Sequence, residues 1–240
     1  MLEPTIDLLR AEALAAGDAA GYFPAMYARV TERVDRAIGD GRFGDRERMA
    51  EFARTFADWY VGPRHGSRPM PSCWQATFDV ADDRRLLIVQ HLLLGINAHV
   101  NHDLPQVVVE LAGAGRPLDS LRPDFDAIND ILGETQAEIL RDVGRVSGWT
   151  QWAAGAGGGR VFAFSLDRAR DQAWATAERL HRVDEPTRAV EVAELDHVVT
   201  ALAYMVTRPS APVRWLLRVP RWLELDDPGE VTRRLLGHLA

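Results

Sequence analysis

The segment Gln90–Pro105, QHLLLGINAHVNHDLP, constrains this chain more than any other. It is apolar enough to be core, yet it holds three of the seven histidines, two asparagines and an aspartate. Asp82 or Asp83 stands where a helix N-cap is expected, and Pro105 where a helix stop is expected. At about 100° per residue, Leu93, Ile96 and Val100 fall on one core-facing stripe. His91, Gly95, Ala98 and His102 form a second stripe, flanked by Asn97 and Asn101 on one side and by His99 and Asp103 on the other. A helix apolar on one face and packed with short or polar groups on the other has to be surrounded by other elements. The pattern therefore predicts an all-α, single-domain helical bundle over residues 1–240, built around a buried central helix at about 83–104. Burying so many polar groups costs stability unless each is hydrogen-bonded. They are either internal tethers or a site.

Several chemistries are excluded by residue usage. All 28 basic residues are arginine, which removes a phosphate-loop lysine, a Schiff base and lysine-held pyridoxal phosphate. Cys73 is the one cysteine, so no disulfide, thiolate zinc cluster or iron–sulfur centre can form within the chain. A lone cysteine is ordinarily a small buried hydrophobe. A net charge of −7 argues against nucleic acid as a partner, because neutralising phosphates needs a basic face. The N-terminus has no basic start followed by an apolar run, and no apolar stretch reaches membrane-spanning length. A cytoplasmic protein without a membrane partner is expected.

The remaining chain reads as helices. Ile6–Ala16 is a short amphipathic one, ending near Gly17. Tyr22, Met26, Val30 and Val34 give helical spacing over Tyr22–Gly39, and Asp45 caps a helix to about Val61 that carries Met49, Phe52, Phe56, Trp59 and Tyr60. A polar turn, GPRHGSRPMP, leads to Ser72, Trp74 and Phe78. Beyond Pro105, Val107–Ala112 and Asp124–Leu140 are helical in pattern. Residues 149–160 are glycine-rich and read as a mobile loop over a pocket, or as a linker; no strand precedes them, as a phosphate-cradling loop would need. Ser165 or Asp167 caps a further helix, and Glu185–Pro186 opens one that runs to Thr207. The tail, with Trp215, Trp222 and several arginines, is amphipathic and expected to pack onto the bundle.

Four pieces carry a resemblance: HLLLGINAHVNHDLP at His91–Pro105, YFPAMYARVT at Tyr22–Thr31, FDAIND at Phe125–Asp130 and RARDQAW at Arg168–Trp174. In that order and spread, the chain resembles the uncharacterised family catalogued as domain of unknown function 5995, found largely in high-GC bacteria. The resemblance implies an all-helical single domain whose signature is the His/Asn/Asp helix. It implies no activity.

Chemistry therefore has to be read from the residues. In an acid–base reading, His99, Asp103, His102 and His91 are the catalytic candidates for cyclisation, isomerisation or elimination of a small molecule, because a histidine pKa sits near working pH and is tuned by burial or a carboxylate. Asp103, one turn from His99, orients that ring. Asn97, Asn101, Asn129 and Trp174 are the substrate-binding candidates, the asparagines through a carbonyl or developing oxyanion. This reading requires no cofactor. In a second reading His99, His102 and Asp103 bind a divalent metal in a hydrolase, with Asp130 or His197 as a further ligand. His91 is about 16 Å from His102 along a helix axis, too far to share the ion. Glu194 and His197 have the Glu-x-x-His form, but a di-iron bundle needs two such motifs. A third reading is a protein that binds a small ligand without chemistry. All three give a small-molecule partner and leave homo-oligomerisation open.

Overall fold

The helices start and stop where short polar side chains, prolines and glycines dictate. The chain was described from a computed structural model covering residues 1–113, 116–147, 159–211, 215 and 217–237. The side chains of residues 129, 133–140, 142, 145, 159–165, 218 and 219 lie outside that description. Helix α1 spans Glu3–Ala15 and is followed by Gly17 at φ 70°. A 3-10 turn, Ala19–Gly21, leads into α2, Tyr22–Gly39. In α3, Arg46–His65, Asp45 accepts from the Arg48 N–H at 2.9 Å, and Gly66 closes the other end at φ 74°. That left-handed conformation suits glycine. Helix α4 is Ser72–Phe78.

The central helix has three parts. Helix α5, Ile88–Asn97, runs into a π-helical turn, Ala98–Asp103, and then into α6, Leu104–Ala112. After a 3-10 turn at Leu118–Leu121 come α7, Arg122–Val146, α8, Gly159–Arg182, and α9, Glu185–Thr207. Asp184 caps α9 by accepting from Thr187 N–H at 3.0 Å. Short helices α10, Arg218–Trp222, and α11, Pro228–Leu235, close the chain.

This is an all-α fold, with no strand among the described residues. Ser147 and Glu224 form one isolated bridge. The central helix is enclosed by α2, α3, α4, α8 and α9. Of Ile88–Ala112 only Glu110 is exposed, and it accepts from Trp59 Nε1 at 2.8 Å.

Four expectations need correction. The central helix is not capped by Asp82 or Asp83. Asp83 pairs with Arg85 instead, at 2.7 Å, and the helix begins at Ile88, whose N–H is taken by Glu224 from the tail at 2.9 Å. Pro105 does not stop it. A proline breaks a helix interior but is tolerated in a first turn, and Pro105 stands in the first turn of α6, directly after the widened turn closed by Leu104 N–H to the His99 carbonyl. Helix α8 starts at Gly159, inside the stretch expected to be loop; the other positions of the expected glycine-rich loop, except Arg160, lie outside the described residues. Finally, Trp215 and Trp222 do not pack onto the bundle. They are 69% and 85% exposed, and the tail is anchored by Val231 and Leu235 instead.

Candidate functional site

The widened turn brings one carboxylate between two histidines. Asp103 is fully buried, and its Oδ2 accepts from Trp74 Nε1 at 2.9 Å and from His99 Nδ1 at 3.1 Å. Its Oδ1 accepts from Nδ1 of His102, its immediate neighbour, at 2.8 Å. Adjacent residues on a regular α-helix do not face each other, so the π turn and this double pairing belong together.

His99 sits in a box of aromatic rings supplied by three other helices. Phe56 stacks on it with centroids 3.6 Å apart and planes 7° from parallel. Tyr27 meets it edge-on at 4.6 Å and Phe23 at 5.4 Å, while Trp74 stands at 6.3 Å. Phe23 and Tyr27 come from α2 and Trp74 from α4; Phe56 lies on the aromatic face of α3, which the sequence marks only as core. With Nδ1–H committed to Asp103, the free lone pair of the neutral ring is on Nε2. That atom is buried and has no hydrogen-bond partner.

Beside this ring lies a cavity of about 120 Å³. Met26, Val30, Phe52, Phe56 and Ile96 give it an apolar wall, and His99, Arg170 and Tyr27 are its ionisable groups among the described residues. Burial lowers the His99 pKa, and the bond to Asp103 opposes that shift only in part. Burial also pushes Arg170 down to about 10, so its guanidinium stays charged at neutral pH. It donates to the Phe125 carbonyl at 3.2 Å and stands 4.5 Å over the Phe125 ring. Tyr27 is held well above its ordinary value by burial, then by Asp103. A larger hollow of about 800 Å³ lies between the start of the central helix and the tail. Two of its arginines are already paired, Arg85 with Asp83 and Arg221 with Asp226, and among the described residues no histidine lines it.

The expected site residues do not all meet. Of His91, Asn97, His99, Asn101, His102 and Asp103, only His99 lines the cavity. Asn97 donates to the Val199 carbonyl at 2.9 Å and so ties the central helix to α9, and Asn101 donates to Asn97 at 3.0 Å within the central helix. His91 lies edge-on to Tyr22 at 5.9 Å, away from His99; burial lowers its pKa too. Trp174 packs on Phe125 at 4.9 Å and donates to Glu178 at 2.9 Å. From its motif it is Arg170 that reaches the cavity. The Asn129 side chain lies outside the described residues. Asp130 and His197 are exposed. His102 turns the other way from His99, towards Cys73 and Asp196. Burial, then Asp103 and Asp196, push the Cys73 thiol up, so it stays protonated.

The sequence matches one family model, over residues 5–209. The chain belongs to the family of unknown function DUF5995. The match spans the central helix, the aromatic box and Arg170, so the whole of this geometry lies within the family's region. No curated protein and no solved structure matches the chain. Among the described residues, no helix is long and apolar enough to cross a membrane.

Proposed function

We propose that this chain acts on a small, largely apolar molecule held in the cavity, with Nε2 of His99 as the atom that takes a proton and Asp103 as the group that positions the ring. The observation that carries this reading is the buried, unpartnered Nε2 of a ring whose other nitrogen is fixed by a carboxylate. A buried acceptor left unsatisfied costs about 1–3 kcal/mol, and proteins keep such atoms where they have work to do. A lowered pKa keeps the base neutral and ready at pH 7. The cavity is close in size to an engineered apolar cavity of roughly 150 Å³ that takes up benzene, so a compact hydrocarbon or aromatic body fits. Arg170, charged and on the same wall, is the group best placed to meet negative charge developing on the substrate. Proton abstraction leading to isomerisation, elimination or cyclisation is the reaction class that this set of groups supports.

The test is turnover of a panel of small apolar compounds bearing an acidic C–H or hydroxyl, followed by mass spectrometry. His99→Ala should lower turnover by roughly 10²–10⁴-fold, the usual contribution of a positioned base, and Asp103→Asn by less. Full activity in His99→Ala would overturn the mechanism. Binding of the compounds to the wild-type cavity with no turnover would support the third reading, a non-catalytic carrier.

A further inference from the structure

Cys73 of α4, His102 of the central helix and Asp196 of α9 stand far apart in sequence, yet their ligand atoms all lie within 4.8 Å of one another. We propose that they form a zinc site, with Cys73 Sγ, His102 Nε2 and a carboxylate oxygen of Asp196 as three ligands and water as the fourth. This site lies on the opposite side of Asp103 from the cavity and does not depend on proton transfer at His99.

Four observations carry it. The donor set is sulfur, nitrogen and oxygen, which suits zinc and not the oxygen-preferring magnesium or calcium. His102 already has the arrangement that a metal-bound histidine needs. Its Nδ1–H is held by Asp103 at 2.8 Å, which fixes the tautomer and leaves the lone pair on Nε2, as in carboxylate–histidine–zinc triads; an ion there displaces the Gln106 amide nitrogen that stands 3.3 Å from that atom. Zinc bond lengths of about 2.0–2.3 Å put ligand atoms roughly 3.5 Å apart, so a contraction of about 1 Å by side-chain rotation closes the shell. The charges also point this way: Asp103 and Asp196 both face the thiol, and among the described residues neither has an arginine partner. A divalent cation balances them.

A purely structural role accounts for only part of this. Asp196 accepts from Ser72 N–H at 2.8 Å and Cys73 N–H at 2.9 Å, and so caps α4. A carboxylate has about four lone-pair sites, so capping leaves it able to bind an ion, and capping does not explain why His102 and Cys73 converge there. A catalytic thiol is the weaker reading, because Cys73 is 0% exposed. The half-buried Asp196 marks the side from which an ion enters. Binding transfers the thiol proton to solvent, so affinity rises with pH.

The experiment uses the full chain, stripped with a chelator and titrated with Zn²⁺ against a chromophoric competitor, and in parallel with Co²⁺. One ion per chain should bind, tighter at pH 8 than at pH 6. The Co²⁺ form should show thiolate-to-cobalt charge-transfer absorption in the near ultraviolet, and Cys73→Ser should abolish it. Zinc affinity should fall at least about 10-fold in Cys73→Ser and His102→Gln, and about 10–100-fold in Asp103→Asn through loss of the orienting carboxylate. Circular dichroism checks folding. Cys73→Ser exchanges a single atom, so its spectrum decides the matter even if the other variants unfold. No saturable binding, a Co²⁺ spectrum without the thiolate band, or unchanged affinity in Cys73→Ser would overturn the proposal.

Discussion

His99 and His102 belong to the same helical turn, share one carboxylate and are each 3% exposed. Their surroundings have nothing else in common. His99 is pressed between aromatic rings, and its second nitrogen is left without a partner at the edge of an apolar cavity. His102 meets Gln106, Cys73 and Asp196, and its far side is rich in groups that can ligate or hydrogen-bond. Burial depth therefore says little about what a histidine can do. What the nitrogen away from the carboxylate meets is decisive.

The most forceful way to break this contrast is to remove the shared carboxylate. Asp103→Ala leaves three buried donors, on Trp74, His99 and His102, without an acceptor. At about 1–3 kcal/mol for each unsatisfied group, urea denaturation should show a loss of roughly 3–9 kcal/mol. Asp103→Asn keeps one acceptor oxygen and should lose less. Equal stability of Asp103→Ala and the wild type would mean that the carboxylate organises neither ring.

A methyl group at Gly95 should disturb the aromatic side alone. A Cβ there would lie 2.5 Å from Phe23 Cδ2 and Cγ, and Phe23 is one of the rings against His99. Gly95→Ala should cost about 1–3 kcal/mol by overpacking and shift the His99 ring resonances in an NMR spectrum. The His102 resonances should stay put. Movement of both sets, or of neither, would show that the two sides are not separately built.

The gentlest probe is pH. The folded pKa of His99 lies below the ordinary 6.5, and so does that of His91, both through burial. Near and below 6.5 the unfolded chain therefore binds more protons than the folded one. The stability these residues contribute is complete above about 6.5 and is lost as pH falls towards their folded pKa values, at no more than about 1.4 kcal/mol per pH unit for each histidine. His99→Gln should flatten the profile between pH 7 and 5. An unaltered slope would mean that the ring is not held neutral by its box.

Periodicity and caps made most of the fold legible. The spacing of Tyr22, Met26, Val30 and Val34 gave a helix over Tyr22–Gly39, Asp45 gave the start of the next, and the Glu185–Pro186 opening gave α9 to Thr207. The site was only partly legible. The four-residue interval between His99 and Asp103 was enough to expect a contact, since it holds on nearly any helical turn. The pairing of Asp103 with His102 was not, because neighbours on an ideal helix diverge. Nor was the division of the aromatic residues: Phe56 and Trp59 are three apart on one helix, yet Phe56 stacks on His99 while Trp59 stands 6.5 Å from His102. Cys73 and Arg170 were illegible as site residues, because only the tertiary packing of α4 and α8 brings them to the central helix. Asn97 and Asn101 show the converse. Their polarity in an apolar run is answered by a carbonyl of α9 and by each other.

The π turn also divides the central helix into two phases. Each residue of an α-helix advances about 100°, so a turn holding one residue more than usual rotates everything after it. The faces of α5 and α6 are set by different neighbours, and the extra residue reconciles them. Removing one residue from Ala98–Asp103 would leave a regular, straighter and locally better-bonded helix, yet a wrong one. Glu110, the single exposed position of the segment, would swing about a quarter-turn towards the core, while buried Val107 and Val108 left their places.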